Sequence, residues 1–291
     1  MTVQTTTSDT PPAARTAPDP GAAPRPPEAR VEVVDLRKSF FDDGRGEVHA
    51  VDGLDFTCHA GEVFGLLGAN GAGKTTTLRV LSTVIRPTEG TARVMGHDVV
   101  KDPEAVRRSL GFYSASTALY PRLTGRETIE FFARVNRYPK DAVPERVEEL
   151  VQRFGIQEYQ DTRVEKLSSG MKQKVSMART VAHDPPVLIF DEPTVGLDVM
   201  NALEMVRVIR ELRDEGKTIL FSSHIMSEVE KLCDRIGVIH RGRLLALGTL
   251  DELRDRTGQH YLEDIFVDFV TEAEDGIGSV LGPAGTLEQG D

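Results

Sequence analysis

The sequence predicts an α/β fold whose mostly parallel sheet is interrupted by a helical insertion. Two continuous apolar runs, VLIFD at 187–191 and TILFSS at 218–223, are typical of parallel strands buried on both faces. Between them, residues 201–216 have the spacing of an amphipathic helix that ends at Gly216. Residues from about 103 to 182 carry apolar side chains at three- and four-residue spacing, which predicts the helical insertion. Strands that alternate with helices in this way form an α/β core.

The N-terminal part divides into a tail, strands and a helix. Residues 1–29 contain mostly Thr, Pro, Ala and Gly, a composition that predicts a disordered tail. From Val31, β-branched and alternating apolar residues predict strands over VEVVDL and within residues 49–68. A helix is then expected from Lys74 to Ile85.

Two smaller features are predicted near the C-terminus. Residues 236–248 contain two apolar runs around Arg241-Gly242-Arg243, which favours a hairpin. A helix further on would place four apolar side chains on one face, and we expect that face to pack against the core. These side chains are Leu262, Ile265, Phe266 and Phe269.

Composition limits the classes of function. The longest apolar runs are a few residues, far below the roughly 18 to 20 needed to cross a bilayer, so no membrane span is expected. Two cysteines are too few for a disulfide scaffold, and the N-terminus lacks a secretory signal, so we expect a cytoplasmic protein. The net charge is −11, but residues 249–291 carry −9 of it. Residues 1–248 are nearly neutral in total, so the composition gives no sign of the basic surface that binds nucleic acid.

The first chemical motif is GANGAGKT at 68–75, which fits the phosphate-binding loop G-x-x-x-x-G-K-[ST] at every fixed position. Glycines let the backbone wrap phosphates closely, and the following helix presents unpaired N–H groups to them. Lys74 then supplies charge for the β- and γ-phosphates, and the Thr75 hydroxyl completes Mg²⁺ coordination. The predicted nucleotide-binding residues of this loop are Gly68, Ala69, Asn70, Gly71, Ala72, Gly73, Lys74, Thr75 and Thr76.

The second motif is an acidic pair that follows a predicted buried strand. Asp191 ends VLIFD, where a carboxylate can hold Mg²⁺ through water, and Glu192 follows it. Glu192 is positioned to polarise the attacking water as a general base. Such pairs also occur in solvent-facing turns, so the interpretation depends on the phosphate-binding loop.

The third motif is LSSGMKQKVSMAR at 167–179, which resembles the signature of ABC transporter ATP-binding proteins, usually Leu-Ser-Gly-Gly-Gln. Ser168 and Gly170 match that signature, whereas Ser169 and Met171 depart from it. A Ser-Ser-Gly start is also an ordinary helix N-cap. In the family this helix N-terminus points at the γ-phosphate of ATP bound by the opposite subunit, which is a use of unpaired N–H groups. The resemblance therefore implies trans contacts to ATP from Ser168, Ser169 and Gly170.

Further matches follow in the order of the family. PTVGLD at 193–198 resembles the loop in which an aspartate, here Asp198, crosses the dimer interface. FSSHIMSEVE places His224 where the family has its switch histidine. DLRKSF places Phe40 where the family stacks an aromatic ring on adenine, with Phe41 as the alternative.

One position departs from the family. The lid glutamine of ABC ATPases falls at Ala115, between Ser114 and Ser116. The surrounding sequence is similar to the branch that includes sodium-export pumps, in which the lid is also atypical. In the family, this glutamine reaches the metal and the attacking water and lies beside the contact with the membrane subunit. Its absence therefore bears on how ATP binding is relayed to that subunit and on the rate of ATP hydrolysis.

The resemblance covers about residues 31–248 and implies a RecA-like P-loop core with a mostly parallel sheet. It also implies an N-terminal antiparallel β subdomain and an α-helical subdomain, at about 103–182, that carries the signature motif. Residues 249–291 would form an acidic C-terminal segment with a short amphipathic helix.

The function that the resemblance implies is ATP hydrolysis that drives export through a separate transmembrane permease. ATP and Mg²⁺ would be the ligands, and Lys74, Glu192 and His224 would be catalytic. A second copy, or a paralogous nucleotide-binding domain, would complete an ATP-dependent dimer on the inner face of the cell membrane. A sodium ion or a drug-like compound would be the cargo, and no nucleic acid is expected as a partner.

Two alternatives remain open at this level. A soluble ABC ATPase of DNA repair or translation usually carries two nucleotide-binding domains or a long insertion, and this chain contains neither. A nucleotide-binding regulator that no longer hydrolyses ATP is suggested by Ala115, whereas the retained Lys74, Asp191, Glu192 and His224 argue against it.

Overall fold

The computed structural model describes residues 28–44, 46–114 and 117–280, which form two sheets surrounded by helices. The antiparallel sheet contains β1 (Ala29–Asp42), β2 (Gly46–His59), β4 (Glu89–Val94) and β5 (His97–Asp98). The other sheet contains β3 (Val63–Leu67), β6 (Leu110–Ser114), β7 (Val187–Asp191), β8 (Thr218–Ser223), β9 (Arg235–His240) and β10 (Arg243–Gly248). The helices are α1 (Lys74–Leu81), α2 (Pro103–Ser109), α3 (Gly125–Val135), α4 (Val143–Arg153), α5 (Ser169–Thr180), α6 (Val199–Asp214), α7 (Met226–Leu232), α8 (Leu250–Thr257) and α9 (Leu262–Val280).

The second sheet has the order β10-β9-β3-β8-β7-β6 and is parallel apart from the β9–β10 hairpin. Every residue of β3, β7 and β8 is buried, as their continuous apolar runs predict for strands covered on both faces. Because these strands are parallel, their carboxyl ends meet at one edge of the sheet. That edge carries the residues after Leu67, together with Asp191 and Ser223.

The antiparallel sheet has the order β2-β1-β4-β5 and contributes Leu36, Leu54 and Phe56 to a hydrophobic cluster. The same cluster contains Leu66 and Leu78, so this sheet packs against the parallel core and α1. The predicted fold class, a mostly parallel P-loop core with an antiparallel β subdomain and a helical part, is confirmed.

The helical part contains α3, α4 and α5, and α3 packs against both of the others. A reciprocal capping box fixes the start of α3, because the Glu127 amide donates to Thr124 Oγ1 at 3.1 Å and the Thr124 amide donates to Glu127 Oε2 at 2.9 Å. The predicted range of about 103–182 also contains β6, an edge strand of the parallel sheet. With five residues, β6 is too short for its alternating pattern to be recognised between helices. In the structure, the helical part begins after Ser114.

Two predicted boundaries differ from the structure. The helix expected to reach Ile85 ends at Leu81, because Thr83 has a left-handed φ of 61° that stops the helix. Of the tail expected over residues 1–29, residues 1–27 lie outside the part of the chain that the structure describes. Ala29, which the prediction placed in the tail, pairs with His59 in the antiparallel sheet.

The hairpin and the apolar helix face predicted near the C-terminus are observed within the described residues. The hairpin of β9 and β10 turns at Arg241 and Gly242, which have φ of 46° and 79° as a two-residue hairpin turn requires. Helix α9 buries the predicted apolar face against the core through Leu262, Ile265 and Phe269, with Phe266 partly buried. Over residues 28–44, 46–114 and 117–280, no helix combines the length and apolar character needed to cross a membrane.

Candidate functional site

The glycine-rich loop connects β3 to α1 at the carboxyl edge of the parallel sheet. Gly73 has a φ of 107°, and a Cβ there would lie 2.4 Å from the Ala50 carbonyl oxygen of β2. A Cβ at Gly68 would lie 2.4 Å from the Ile239 carbonyl oxygen of β9. Only glycine fits at these two close approaches. The loop therefore packs closely against β2 of the antiparallel sheet on one side and β9 of the parallel sheet on the other.

Lys74 begins α1, and its side chain turns back over the loop. Only 4% of it is exposed, and its Nζ donates to the Gly68 carbonyl at 2.8 Å and to the Ala69 carbonyl at 3.2 Å. Nζ also lies 3.3 Å from Glu192 Oε1. The buried ammonium therefore sits at the centre of the loop, where an anionic phosphate would approach.

An open cleft of about 350 Å³ lies in front of this loop. It is lined by Ala50, Asn70, Gly71, Ala72, Gly73, Lys74, Thr75, Thr76 and Glu192. The N-cap residue Gly73 supplies no side-chain hydrogen bond, so the first amides of α1 meet the cleft without a side-chain cap. Such amides bind anions, because they combine unpaired donors with the positive end of the helix dipole.

Asp191 ends β7 beside this cleft and is 5% exposed. The Thr75 hydroxyl donates to Asp191 Oδ1 at 3.0 Å, so the two side chains that the sequence assigns to a metal are in direct contact. A hydroxyl and a carboxylate are hard oxygen donors of the kind Mg²⁺ prefers, with water and substrate phosphate as its other ligands. The donor set therefore fits Mg²⁺ held with a nucleotide. Among the described residues, no group of three or more His, Cys, Asp and Glu side chains could hold a metal alone.

Glu192 and His224 face each other across the cleft edge. Glu192 follows β7, His224 follows β8, and Glu192 Oε1 lies 3.3 Å from His224 Nδ1 and 3.3 Å from Lys74 Nζ. Glu192 has a left-handed φ of 49°, a strained conformation for a residue with a side chain. The carboxylate can accept a proton from a water molecule in the cleft, and both neighbours are suited to orienting that water or a phosphate.

The signature residues and Asp198 form a second group of polar helix ends. Ser168 caps α5 by accepting from the Met171 amide at 3.3 Å, and Asp198 caps α6 by accepting from the Asn201 amide at 3.0 Å. Hydrogen bonds from the amide and the side chain of Asn201 lower the pKa of the Asp198 carboxyl. Ser168, Ser169, Gly170 and Asp198 are all described, and none of them lines the cleft of the phosphate-binding loop.

Phe40 and the lid position stand apart from this cleft. The Phe40 ring on β1 is 44% exposed and lies 4.9 Å from Lys38 Nζ. Its strand partner is Val48, two residues before the cleft-lining Ala50, so its role toward adenine stays a prediction. Ala115 lies outside the described residues, as does Ser116.

Sequence reasoning missed two residues that contact the site. Ala50 approaches Gly73 through its backbone carbonyl, and no side-chain pattern could have indicated this contact. Ser222 in β8 contacts Asp191, and its signal in the sequence was the Ser222-Ser223 pair that ends a mostly apolar run.

A glycine-rich loop between a strand and a helix, with its lysine and acidic pair on one edge of a parallel sheet, is the arrangement of phosphate-loop nucleotide-binding proteins. A family model described as "ABC transporter" matches residues 51–195 of this chain. The chain is also 41% identical over 228 residues to the ABC transporter ATP-binding protein NatA of Bacillus subtilis (strain 168), covering 78% of this chain and 93% of that protein. The chain belongs to the ABC transporter family of ATP-binding proteins, and it is an ATPase of that family.

Two further similarities agree with this assignment. The chain is 39% identical to the daunorubicin/doxorubicin resistance ATP-binding protein DrrA of Streptomyces peucetius, over 77% of this chain and 68% of that protein. A solved structure described as an ATP binding subunit of an ABC transporter superposes with a TM-score of 0.76 at 29% identity. That superposition covers 82% of this chain and 99% of the solved chain.

Proposed function

We propose that this chain hydrolyses ATP in order to drive export of a cargo through a separate transmembrane subunit. The observation that carries the proposal is the meeting of Lys74, Asp191, Glu192 and His224 at one edge of the sheet, in a chain whose relatives are transporter subunits. The rival function, a soluble ABC ATPase of DNA repair or translation, is not favoured by those relatives.

The phosphate end of the nucleotide is assigned to Lys74 and the loop amides. The buried ammonium would exchange its bonds to Gly68 and Ala69 for the β- and γ-phosphates, and the N-terminus of α1 adds amide donors. Thr75 and Asp191 would hold Mg²⁺, with Asp191 acting through water. When bound, Mg²⁺ supplies charge neutralisation for the phosphates.

Glu192 is assigned as the general base for the attacking water. Its Oε1 is fixed between two nitrogen-bearing side chains, so a water on the cleft side of that oxygen would be held in a defined place. His224 would orient the Glu192 carboxylate and sense the γ-phosphate. Removing such a positioned base costs roughly 10² to 10⁴ in rate, which is the contribution proposed for Glu192.

A second subunit is proposed to complete each site. Ser168, Ser169, Gly170 and Asp198 lie on helix ends away from their own cleft, so their anion-binding amides are available to ATP held by another copy or a paralogous domain. ABC ATPases dimerise and work with transmembrane subunits. Phe40 is proposed to stack on the adenine of its own subunit.

The membrane subunit would bind the cargo, and this chain would lie on the cytoplasmic face of the membrane through that contact. Relatives named for drug resistance favour export, with a drug-like compound or a sodium ion as the cargo class. Purification from detergent-solubilised membranes tests this assignment. A small hydrophobic permease should co-purify, whereas ribosomes or DNA would support the rival function.

The dimer is tested by the dependence of ATPase rate on protein concentration. Because each site would need two chains, hydrolysis should rise faster than linearly over the range in which light scattering shows monomers. Gly170→Asp, which adds a negative charge at the signature, should abolish hydrolysis and leave ATP binding intact. A strictly linear dependence, or a Gly170→Asp variant with normal hydrolysis, would contradict the shared site.

A further inference from the structure

Ser222 is a fully buried hydroxyl that contacts both residues of the acidic pair. It lies in β8 directly opposite Asp191 in the parallel register, and none of its surface is exposed. Its Oγ donates to Asp191 Oδ1 at 2.8 Å and accepts from the Glu192 amide at 3.1 Å. A hydroxyl has one proton and two lone pairs, so it can make both bonds at once. In this arrangement the Ser222 proton points to Asp191, and a lone pair of its oxygen accepts from the Glu192 amide.

The contact to Glu192 acts on a strained backbone. Glu192 has a φ of 49°, and such left-handed residues persist only where their surroundings hold them. The Glu192 amide is shared between the Ser222 hydroxyl and the Ser222 carbonyl, the latter at 3.2 Å. The direction of the Glu192 side chain toward Lys74 and His224 follows from this backbone conformation.

The contact to Asp191 fixes the other carboxylate. Asp191 Oδ1 receives two hydroxyl donors, Thr75 at 3.0 Å from the phosphate-binding loop and Ser222 at 2.8 Å from β8. Two donors from different elements restrict rotation of the carboxylate about its terminal bond. A water or metal ion on the cleft side would therefore meet an oxygen of defined orientation.

We propose that Ser222 is a positioning residue that couples the orientation of Asp191 to the conformation of Glu192. The inference rests on the roles proposed above for these two carboxylates. Ser222 is fully buried, and its hydroxyl contacts Asp191 and the Glu192 amide, so its effect would pass through the acidic pair. Its removal should lower the rate of the chemical step and spare ATP binding.

The test compares Ser222→Ala with a shape-matched pair, Ser222→Thr and Ser222→Val. Loss of one hydrogen bond to a charged group should lower kcat about tenfold in Ser222→Ala, with the KM for ATP changed less than about threefold. Thr and Val fill the same volume and only Thr keeps the hydroxyl, so Ser222→Thr should exceed Ser222→Val in kcat by about tenfold. Crowding in the buried strand affects both variants equally and cancels in this ratio.

A control on the same strand separates positioning from general destabilisation. Thr218 is also fully buried in β8, and its hydroxyl donates to the His59 carbonyl at 2.9 Å at the end of the strand remote from the site. Thr218→Val should lower the Tm while keeping kcat. A second readout is the affinity for a fluorescent ATP analogue with and without Mg²⁺. Ser222→Ala should keep the metal-free affinity and lose no more than about threefold of the Mg²⁺ enhancement, in line with the small change in KM.

A double variant distinguishes failure of this inference from failure of the proposed function. If Ser222 affects the rate by positioning the Glu192 carboxylate, Ser222→Ala should cost less than about twofold when added to Glu192→Gln, because residues that act through one another are non-additive. A wild-type kcat in Ser222→Ala, equal kcat in the Thr and Val variants, or a full tenfold loss in the double variant would each overturn the inference. A wild-type rate in Glu192→Gln alone would instead overturn the proposed base.

Discussion

Replacing Glu192 by Gln tests the centre of the proposed chemistry. The Glu192 Oε1 atom lies 3.3 Å from Lys74 Nζ and 3.3 Å from His224 Nδ1, and an amide of the same shape can occupy that position. The substitution keeps the volume and the hydrogen-bonding reach, and it removes the negative charge and the basicity. Hydrolysis should fall by about 10² to 10⁴, equivalent to about 3 to 5 kcal/mol of activation free energy.

Nucleotide binding should survive the same substitution. Lys74 keeps its bonds to the Gly68 and Ala69 carbonyls, and the loop glycines are untouched. Removing an anion beside the phosphate-binding lysine takes away repulsion toward the γ-phosphate. ATP should therefore accumulate unhydrolysed, and linkage between binding and dimerisation predicts a stable ATP-dependent dimer.

The assay combines single-turnover hydrolysis with size-exclusion chromatography in ATP and in ADP. Glu104→Gln is a suitable control, since Glu104 is exposed and pairs with Arg108 on the surface of α2. That control should keep the wild-type rate and elute as the wild type does. A Glu192→Gln variant that hydrolyses at close to the wild-type rate would refute the base assignment and direct attention to Asp198 or His224.

Three further perturbations follow from the structure. Lys74→Ala should abolish retention of a fluorescent ATP analogue, because it removes the one loop cation facing the phosphates; retention at wild-type affinity would contradict this. Gly73→Ala should destabilise the fold in urea unfolding by at least about 2 kcal/mol more than Gly71→Ala, since both have a positive φ but only Gly73 would bring its Cβ to 2.4 Å from a carbonyl oxygen. Burial lowers the pKa of His183 to about 4, so the folded state disfavours its protonation, and stability should fall by about 2 kcal/mol from pH 7 to pH 5. His183→Gln should remove that part of the pH dependence, and an unchanged pH slope would contradict it.

Residues that act through local spacing were predictable from the sequence. The phosphate-binding loop, Asp191 at the end of VLIFD and the start of α5 at the signature each depend on a few consecutive residues. The apolar runs of β7 and β8 indicated a parallel sheet because burial on both faces leaves little room for polar side chains. The apolar face of α9 followed from helical periodicity in the same way.

Other features were hidden because their cause lies far along the chain. Strand β6 is short and lies among helices, and only its pairing with β7 makes it part of the sheet. The early end of α1 depends on one backbone conformation at Thr83, which no composition rule specifies. Ala50 enters the site through a backbone carbonyl, so its side chain carried no information about that contact.

The sequence by itself determined the class of fold, the phosphate-binding loop and the acidic pair, because each depends on the order of neighbouring residues. Only the tertiary structure decided that Lys74 Nζ and His224 Nδ1 each lie 3.3 Å from Glu192 Oε1, since these residues follow three separate strands. It also decided that Ser222 bonds to Asp191 and Glu192, through a register between β7 and β8 that no motif encodes. The physical reason is that parallel strands bring distant segments to one edge, where hydrogen-bond geometry rather than sequence distance determines which side chains act together.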